Sequence, residues 1–338
     1  MIFVLNCGSQ SIKWKIFTKD LKLEKEGSVC VPHPSQFEEI LESELKKTGN
    51  PDIKIIGHRV VHGGTKFRAP VRITRENIGE LEKLCRFAPL HNPYNIKGIE
   101  ECQKIFVNIP QFAVFDTEFF ADLPEKAYLY ALPEKITDEF GYRRYGFQGT
   151  SHEFVAKKAS EKLGRPFNEL KIITCHLGGG ASLAAIKNGK AIDTSMGFTP
   201  LEGLMMTTRT GNVDPGIVLD LAKHFTISRV EDILNKESGL KGICGAGEML
   251  SVLKLVDEKN KKAVLALDMF VYSIQKYIGA YYAVLGGCDA VVFTGSIGSG
   301  SEKIREMICG DLEILKNTEI LTIKTDEELA IAEKISKL

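Results

Sequence analysis

Two similar strand–turn–strand patterns, about half the chain apart, most restrict how this sequence can fold. The first has an apolar run at residues 2–5, a polar turn at 6–11 and an alternating run at 12–17. The second occupies residues 172–186, with three consecutive glycines in its turn. Short β-branched and apolar runs bounded by Gly, Asn and Ser are typical of strands. The repetition suggests two related halves, each beginning with a β-hairpin.

Further strands alternate with helical patterns along the chain. Apolar runs that end in polar or glycine-rich loops lie at residues 55–56, 112–115 and 290–293. Apolar residues recur with helical spacing at residues 77–85, 151–163 and, most clearly, 264–285. This alternation predicts an α/β fold, in which polar residues at strand ends lie where such folds bind ligands.

Length, charge and cysteine content narrow the class of protein. The 338 residues predict two domains. Basic and acidic residues number 44 each, so no overall field favours nucleic acid or an anionic membrane as a partner. The longest apolar stretch, residues 263–285, contains Asp268, Gln275 and Lys276 and is too polar to span a bilayer. The eight scattered cysteines fit a reducing compartment, and no signal peptide is recognisable, so a cytoplasmic protein is expected.

The first turn, residues 6–13, is a candidate phosphate-binding element. Its small residues let backbone N–H groups approach an anion, Ser9 and Ser11 add hydroxyl donors, and Lys13 adds positive charge. The chain contains neither a Walker P-loop motif nor the G-x-G-x-x-G pattern of dinucleotide-binding folds. Asn, Gly and Ser are equally the usual residues of an ordinary hairpin turn, and that interpretation stays open at this point.

Two loop arginines and an acidic pair could act on a phosphoryl group. Arg59 follows a buried strand, and Arg209 lies in a second polar loop, so both could neutralise a transferring phosphoryl group. Glu327 and Glu328 precede the last helical run and could bind magnesium directly or through water. The alternatives are solvated surface arginines and acids that favour a first helical turn for dipole reasons.

Eight segments, in order along almost the whole chain, resemble the acetate kinase family. They are residues 6–13, 57–64, 88–93, 115–117, 143–147, 149–152, 193–203 and 325–332. One segment would be weak evidence, but the common order makes the case strong. The resemblance implies an α/β protein with two ribonuclease-H-like domains of the actin-like ATPase type, with a nucleotide in the cleft between them. The first would contain residues 1–120 plus 327–338, and the second residues 121–326.

The resemblance also implies an activity and a set of site residues. The activity is reversible transfer of the ATP γ-phosphoryl group to acetate, with Mg²⁺ or Mn²⁺ as cofactor, in a homodimer. The implied catalytic residues are Arg59, Asp116, Arg209 and Gln148, the last in place of a family histidine. The implied acetate site contains Arg59, Val61, Leu90, Phe147 and Pro200. The implied phosphate and nucleotide site contains Ser9, Ser11, Lys13, His176, Gly178, Gly179, Gly180, Glu248, Gly295 and Gly298. The implied metal ligands are Asn6 and Glu327.

The segments that would bind the acyl group match the family pattern better than the segments that would bind the nucleoside. Residues 247–250 and 295–301, which would meet the base, differ from the family, and residues 301–325 form a shorter stretch. Three hypotheses stay open: an ATP-dependent acetate kinase, a kinase of the same substrate that uses GTP or pyrophosphate, and a non-catalytic protein that binds acetate or acetyl phosphate. The joint presence of Arg59, Asp116 and Arg209 favours an enzyme.

Overall fold

Strands and helices alternate along the chain, and the predicted α/β class is confirmed. The computed structural model describes residues 1–8, 11–49, 51–89 and 91–338. The strands are β1 (Ile2–Cys7), β2 (Ser11–Phe17), β3 (Leu23–Cys30), β4 (Ile55–Val60), β5 (Val71–Arg72), β6 (Gln111–Phe115), β7 (Lys171–Leu177), β8 (Ala181–Lys187), β9 (Lys190–Thr194), β10 (Ala290–Thr294) and β11 (Glu319–Thr322). The helices are α1 (Phe37–Lys47), α2 (Arg75–Lys83), α3 (Asn92–Ile105), α4 (Glu125–Tyr128), α5 (Glu134–Phe140), α6 (Gly149–Leu163), α7 (Pro215–His224), α8 (Ile227–Asp232), α9 (Gly239–Cys244), α10 (Met249–Asp257), α11 (Lys261–Leu285), α12 (Gly295–Gly298), α13 (Glu302–Cys309) and α14 (Glu327–Ile335).

The first of two compact units is built on a six-stranded sheet. This unit contains Met1–Ala121, Phe147–Phe154 and Asp326–Leu338. Its strand order is β3-β2-β1-β4-β6-β5, in which β1, β2 and β3 pair antiparallel and β1, β4 and β6 run parallel. The hairpin predicted at the start of the chain is therefore confirmed.

Both faces of strand β1 are covered, which explains its continuous apolar run. Phe3 and Leu5 belong to a core that also contains residues of α1, whereas Ile2 and Val4 pack with Ile331 and its neighbours on α14. Successive side chains of a strand point to opposite faces, so a strand with two covered faces needs apolar residues at every position. The C-terminal helix thus completes the core of the first unit.

The second unit repeats the plan of the first. It contains Asp122–Gly146 and Val155–Thr325, and its sheet has the order β11-β10-β7-β8-β9. Strands β7, β8 and β9 pair antiparallel, and β7, β10 and β11 run parallel. The order β9-β8-β7-β10-β11 matches β3-β2-β1-β4-β6 of the first unit. This shared topology supports the related halves that the two hairpins suggest.

One segment differs from the domain boundaries expected from the sequence. Those boundaries put all of residues 121–326 in the second domain, whereas Phe147–Phe154 lies in the first unit. The backbone N–H of Gly149 donates a hydrogen bond to the carbonyl oxygen of Asp116 over 2.9 Å. A side chain at Gly149 would collide with that same carbonyl, so the start of α6 packs tightly on the loop after β6.

The longest predicted helix is confirmed as α11. Its buried face includes the residues that the helical spacing placed together: Leu267, Val271, Ile274, Ile278, Tyr281 and Leu285. Asn260 caps its N-terminus, and Gly286 ends it in the left-handed conformation. Among the helices of the described residues, none combines the length and apolarity needed to cross a membrane.

Candidate active site

Three polar side chains of the first unit meet at one edge of its sheet. Asn6 lies near the end of β1, Arg59 near the end of β4, and Asp116 directly after β6. In the parallel registers Leu5 is opposite His58, and Arg59 is opposite Val114. Because these strands are parallel neighbours, their carboxyl ends coincide, which is where α/β folds bind ligands.

Arg59 and Asp116 form a buried, multiply hydrogen-bonded ion pair. Arg59 Nη2 lies 2.6 Å from Asp116 Oδ2, and its Nε lies 3.1 Å from Oδ1. The Asp116 side chain is 1% exposed, and Thr150 donates its hydroxyl to Oδ1 over 3.2 Å. Burial raises the pKa of Asp116, and the guanidinium of Arg59 opposes that shift. The pair therefore fixes the guanidinium plane at the sheet edge.

The first turn of α14 adds two carboxylates beside Arg59. Glu327 Oε2 lies 3.5 Å from Arg59 Nε. The amide of Asn6 donates to Glu328 Oε1 over 2.9 Å and to Glu327 Oε2 over 3.3 Å. Burial disfavours the charge on Arg59, but the carboxylates of Asp116, Glu327 and Glu328 outweigh it and raise its pKa. Three carboxylates thus lie around the guanidinium of Arg59, and Lys15 Nζ lies 4.0 Å from Glu328 Oε2 as a second cation. Carboxylate oxygens are ligands that a divalent cation such as Mg²⁺ prefers.

The side chains at this edge offer a partial set of ligands for the expected metal. Among the described residues, no group of three or more His, Cys, Asp or Glu side chains is arranged to hold a metal ion. Mg²⁺ usually keeps several waters and binds through one or two carboxylates plus substrate phosphates, so a complete protein cage is not required. Of the expected ligands, Glu327 provides the carboxylate oxygens that Mg²⁺ prefers, and its Oε2 lies 3.3 Å from Asn6 Nδ2. Asn6 Oδ1 accepts a hydrogen bond from Arg59 Nη1 over 3.2 Å.

The structure describes some, but not all, of the residues expected to form the acetate pocket. Val61 is 6% exposed and Phe147 is 1% exposed, and both belong to the first unit. The ring of His62 stacks on Phe87 with centroids 5.1 Å apart, and its centroid lies 5.5 Å from that of Phe147. Burial lowers the pKa of His62 to about 3, so this ring is neutral and contributes apolar surface. Leu90 lies outside the described residues.

Further expected residues of the first unit lie before helix α6 and in the β1–β2 hairpin. Gln148 has a φ of 59°, in the left-handed region that non-glycine residues rarely adopt, and it directly precedes α6. Gly8 donates its backbone N–H to the carbonyl of Ser11 over 2.8 Å, which closes the first turn. Lys13 is exposed and pairs with Asn6 in the β1–β2 register, and its charge acts on Glu328. Ser9 lies outside the described residues.

In the second unit, Arg209 has no counter-charge among the residues that the structure describes. Its Nη1 donates to the carbonyl of Pro200 over 3.1 Å, and no carboxylate pairs with it within the described part of the chain. Burial lowers the pKa of Arg209. Arg59 and Arg209 thus differ: the first is held by protein carboxylates, whereas the second is left free to pair with a ligand anion.

The loop around Arg209 is held by backbone hydrogen bonds. Gly203 donates to the side chain of Asn212 over 2.9 Å, and Asn212 N–H donates back to Gly203 O over 3.0 Å. Thr210 N–H donates to Leu234 O, and Leu240 N–H donates to Met206 O, both over 3.0 Å. These contacts give a loop without regular structure a fixed conformation, as a binding residue requires.

The expected phosphate-binding residues of the second unit cluster at the ends of β7 and β10. His176 is opposite Thr294 in the parallel register. Gly295 has a φ of 79°, and a side chain there would collide with the carbonyl of Leu177. The hydroxyl of Thr207 donates to Gly179 O over 3.0 Å, which joins the Arg209 loop to the three-glycine turn, Gly178–Gly180.

One of the two segments expected to bind the base has exposed side chains. Glu248 precedes α10 with an exposed side chain that does not cap the helix, and Leu250 is 81% exposed. Gly298 is buried at the end of α12, and Arg305 Nη1 donates to its carbonyl over 2.9 Å. Ser299 already donates its hydroxyl to Gly295 O over 2.7 Å.

Two site residues could not be picked out individually from the sequence. Thr150 binds Asp116, and Arg305 lies against the turn that contains Gly298. Thr150 lies in a segment that the family resemblance includes, so position in a motif was a usable signal, whereas Glu328, which binds Asn6, was already a candidate magnesium ligand. Arg305 occurs in an ordinary helical pattern on α13, and only its tertiary contact distinguishes it from a surface arginine.

Comparisons with known proteins agree with this architecture. The model of the acetokinase family matches residues 35–337. An acetate kinase from Carboxydothermus hydrogenoformans is 44% identical over an alignment that covers 100% of this chain and 98% of that protein. That alignment extends over 392 residues, more than the 338 present here, so the relative contains residues without a counterpart in this chain.

Solved structures give the same result. The acetate kinase of Porphyromonas gingivalis matches with a TM-score of 0.89 and 36% identity, covering 99% of this chain and 98% of the other. A propionate kinase from Francisella tularensis matches with a TM-score of 0.90 and 35% identity, covering 98% of both chains. The predicted fold, two domains of the actin-like ATPase type, is confirmed by this likeness and by the two matching sheets.

Proposed function

Because this chain belongs to the acetokinase family, we propose that it transfers the γ-phosphoryl group of ATP reversibly to acetate, forming acetyl phosphate and ADP. The observation that carries the site assignment is the buried pair of Arg59 and Asp116 at the carboxyl ends of parallel strands. A guanidinium fixed in this way is preorganised positive charge, the main requirement of phosphoryl transfer.

Acetate needs no general base, because carboxylates with pKa values near 4 are ionised at neutral pH. Arg59 and Arg209 would orient the acetate carboxylate and neutralise charge on the transferring phosphoryl group. Asp116 holds Arg59 in the required orientation. Gln148 would donate a hydrogen bond from its amide to the phosphoryl oxygens, without the charge that a histidine can carry. Direct in-line transfer then depends on positioning and electrostatic stabilisation.

Mg²⁺, or Mn²⁺ in its place, is the proposed cofactor. Asn6 and Glu327 would hold it together with the phosphates of the nucleotide, and when bound it supplies positive charge toward those phosphates. The carboxylates of Asp116, Glu327 and Glu328 near Arg59 support this assignment, since carboxylate oxygens are ligands that Mg²⁺ prefers.

The acyl pocket is proposed to accept a short chain. Val61 and Phe147 are buried apolar side chains of the first unit, and Leu90 and Pro200 complete the proposed set. Each additional methylene is worth about 1–3 kcal/mol in such a pocket and needs room. One similar structure is named as a propionate kinase, so propionate is the second substrate to test.

The phosphates of the donor are proposed to lie on two turns. Ser9, Ser11 and Lys13 would serve on the first unit. On the second unit, the proposed residues are His176, Gly178, Gly179, Gly180, Glu248, Gly295 and Gly298. Glycines at close-approach positions expose backbone N–H groups, which bind phosphate oxygens without selecting a base.

Hydroxylamine trapping of acetyl phosphate tests the function directly. Purified protein is incubated with acetate, Mg²⁺ and ATP, GTP or pyrophosphate in parallel. We expect acetyl hydroxamate well above a boiled control. Lack of product with every donor, from protein that circular dichroism shows to be folded, would favour the non-catalytic binding protein of the same fold.

Among the donors, we expect weak selectivity for the base. ATP and GTP should give comparable kcat/KM, and pyrophosphate should also serve as a donor, with a lower kcat/KM. The segments expected to meet the base present the exposed side chains of Glu248 and Leu250, and the Ser299 hydroxyl is already used internally. A site without positioned partners for base edges cannot strongly reject the wrong base. Steady-state kinetics at one Mg²⁺ concentration measures this. A preference for ATP over GTP above about 100-fold would show that a specific adenine pocket persists.

We also propose a homodimer formed through the second unit. Helix α7 buries none of its residues within the chain, although Ile217 is 53% and Leu219 68% exposed, and the nearby Ile227 is 67% exposed. Large exposed apolar side chains are what a protein–protein contact covers. Light scattering coupled to gel filtration should give the mass of two chains for the parent protein and of one chain for Leu219→Asp combined with Ile227→Asp. A parent protein of single-chain mass would contradict the proposal.

A cytoplasmic location remains part of the proposal. All eight cysteines are free thiols, which suits a reducing compartment. The balanced charge supports acetate and ATP as the partners rather than nucleic acid or a membrane surface.

A further inference from the structure

Lys334 joins three segments of the first unit. Its ammonium lies 2.7 Å from Glu118 Oε1 and 2.7 Å from Glu153 Oε2. The three side chains are only 13–17% exposed. Burial disfavours the charge of Lys334, but the two carboxylates outweigh burial and raise its pKa. The cluster therefore contains one cation between two carboxylates, and both contacts depend on Lys334.

Two of the joined segments lead directly to Asp116. Glu118 follows Asp116 by two residues and begins the short turn Glu118–Phe120. Glu153 lies on α6, whose first residues bind Asp116 from two sides: Gly149 N–H donates to its carbonyl, and Thr150 donates to its carboxylate. Lys334 thus links the loop after β6 to the helix that supports the Asp116 carboxylate.

The third segment leads to Glu327. Lys334 and Glu327 lie on α14, about 10 Å apart along the helix at 1.5 Å per residue. At the other end of α14, Asp326 pairs with Lys15 over 2.7 Å. Ile331, between the two ionic contacts, and Ile335, next to Lys334, pack into the core. Apolar packing keeps the helix docked but is not directional, so the ionic contacts, together with the Asn6 hydrogen bonds at its start, help to determine the position of its ends.

We propose that Lys334 is a positioning residue for the phosphoryl-transfer site. By fixing α14 to the loop after β6 and to α6, it holds Glu327 and Asp116 at their distances from Arg59. This inference rests on the proposed function, and nothing in the family motifs points to residue 334. Lys334 acts through these segments, because its ion-pair partners are Glu118 and Glu153 rather than Arg59.

The kinetic test compares three variants of the full chain. Lys334→Met removes the ammonium and keeps a long side chain, Lys334→Arg keeps the charge, and Lys337→Met changes an exposed lysine of the same C-terminal segment. We expect Lys334→Met to lower kcat by about 10-fold, the scale found when a supporting contact of a catalytic group is lost, with the KM for acetate much less affected. Lys334→Arg should recover most of that loss, and Lys337→Met should behave as the parent.

A measurement that does not need turnover separates this inference from the proposed function. Hydrogen exchange followed by mass spectrometry should show faster exchange in Lys334→Met at residues 116–121, 147–153 and 326–335, with little change elsewhere and none in Lys337→Met. If the parent protein lacks kinase activity, the proposed function fails, and exchange alone decides the role of Lys334. Parental exchange in those three segments, or a uniform increase throughout the first unit, would overturn the inference. Parental kcat in Lys334→Met, from an active parent, would also overturn it.

Discussion

Replacing Arg59 with alanine should lower kcat/KM for acetyl phosphate formation by about 10²-fold or more, the scale of losing one preorganised charge from a water-poor site. Two nitrogens of Arg59, Nε and Nη2, donate to the carboxylate of Asp116, with Nη2 2.6 Å from Oδ2. Its third nitrogen, Nη1, donates to the amide oxygen of Asn6. Removing Arg59 deletes positive charge and also takes the ion-pair partner from Asp116 and the guanidinium beside Glu327. The expected loss is therefore mainly in kcat.

Arg59→Lys should recover little of this activity. The fork of a guanidinium contacts both oxygens of Asp116 while Nη1 contacts Asn6, and a single ammonium cannot reproduce three directional contacts. Arg72→Ala is the matched control, because Arg72 is an exposed arginine of the same unit. Thermal unfolding of all variants separates lost chemistry from lost fold. Near-parental kcat/KM in a folded Arg59→Ala protein would remove Arg59 from the proposed role.

Local sequence patterns predicted the strands and helices correctly where the pattern itself determines how the element packs. The run at residues 2–5 is apolar at every position because both faces of β1 are covered, and the spacing over residues 264–285 gives one buried face of α11. Asn6, Arg59 and Asp116 could be expected to meet because all three follow parallel strands, whose carboxyl ends coincide.

Contacts between segments that are far apart in the sequence could not be predicted from local patterns. Glu328 and Asn6 are 322 residues apart, and Lys334 and Glu118 are 216 apart, so no periodicity relates them. The segment Phe147–Phe154 joins the first unit through the backbone of Gly149, a contact that depends on a missing side chain rather than a present one. Asp326 caps α14, since its carboxylate accepts the N–H of Leu329, so an ordinary helix-terminus role explains this acid.

Arg209→Ala should lower kcat/KM by a similar factor, about 10²-fold, yet leave the protein at least as stable as the parent. Arg209 has no carboxylate partner in the described part of the chain, and burial lowers its pKa, so its charge is uncompensated before a ligand binds. Removing an uncompensated, partly buried charge relieves a desolvation cost, whereas the lost hydrogen bond to Pro200 is worth only about 1 kcal/mol. Arg59→Ala, by contrast, breaks a buried ion pair and should destabilise the protein.

The opposite stability effects make the two arginines distinguishable. Urea unfolding of Arg209→Ala should give a midpoint equal to or above that of the parent, and Arg59→Ala a lower one. Arg229→Ala is the matched control for the second unit, since Arg229 is an exposed arginine paired with Glu237 and should change neither activity nor the site. A clear loss of stability in Arg209→Ala would mean that its guanidinium supports the loop rather than a ligand anion. Parental kcat/KM in that variant would exclude Arg209 from phosphoryl transfer.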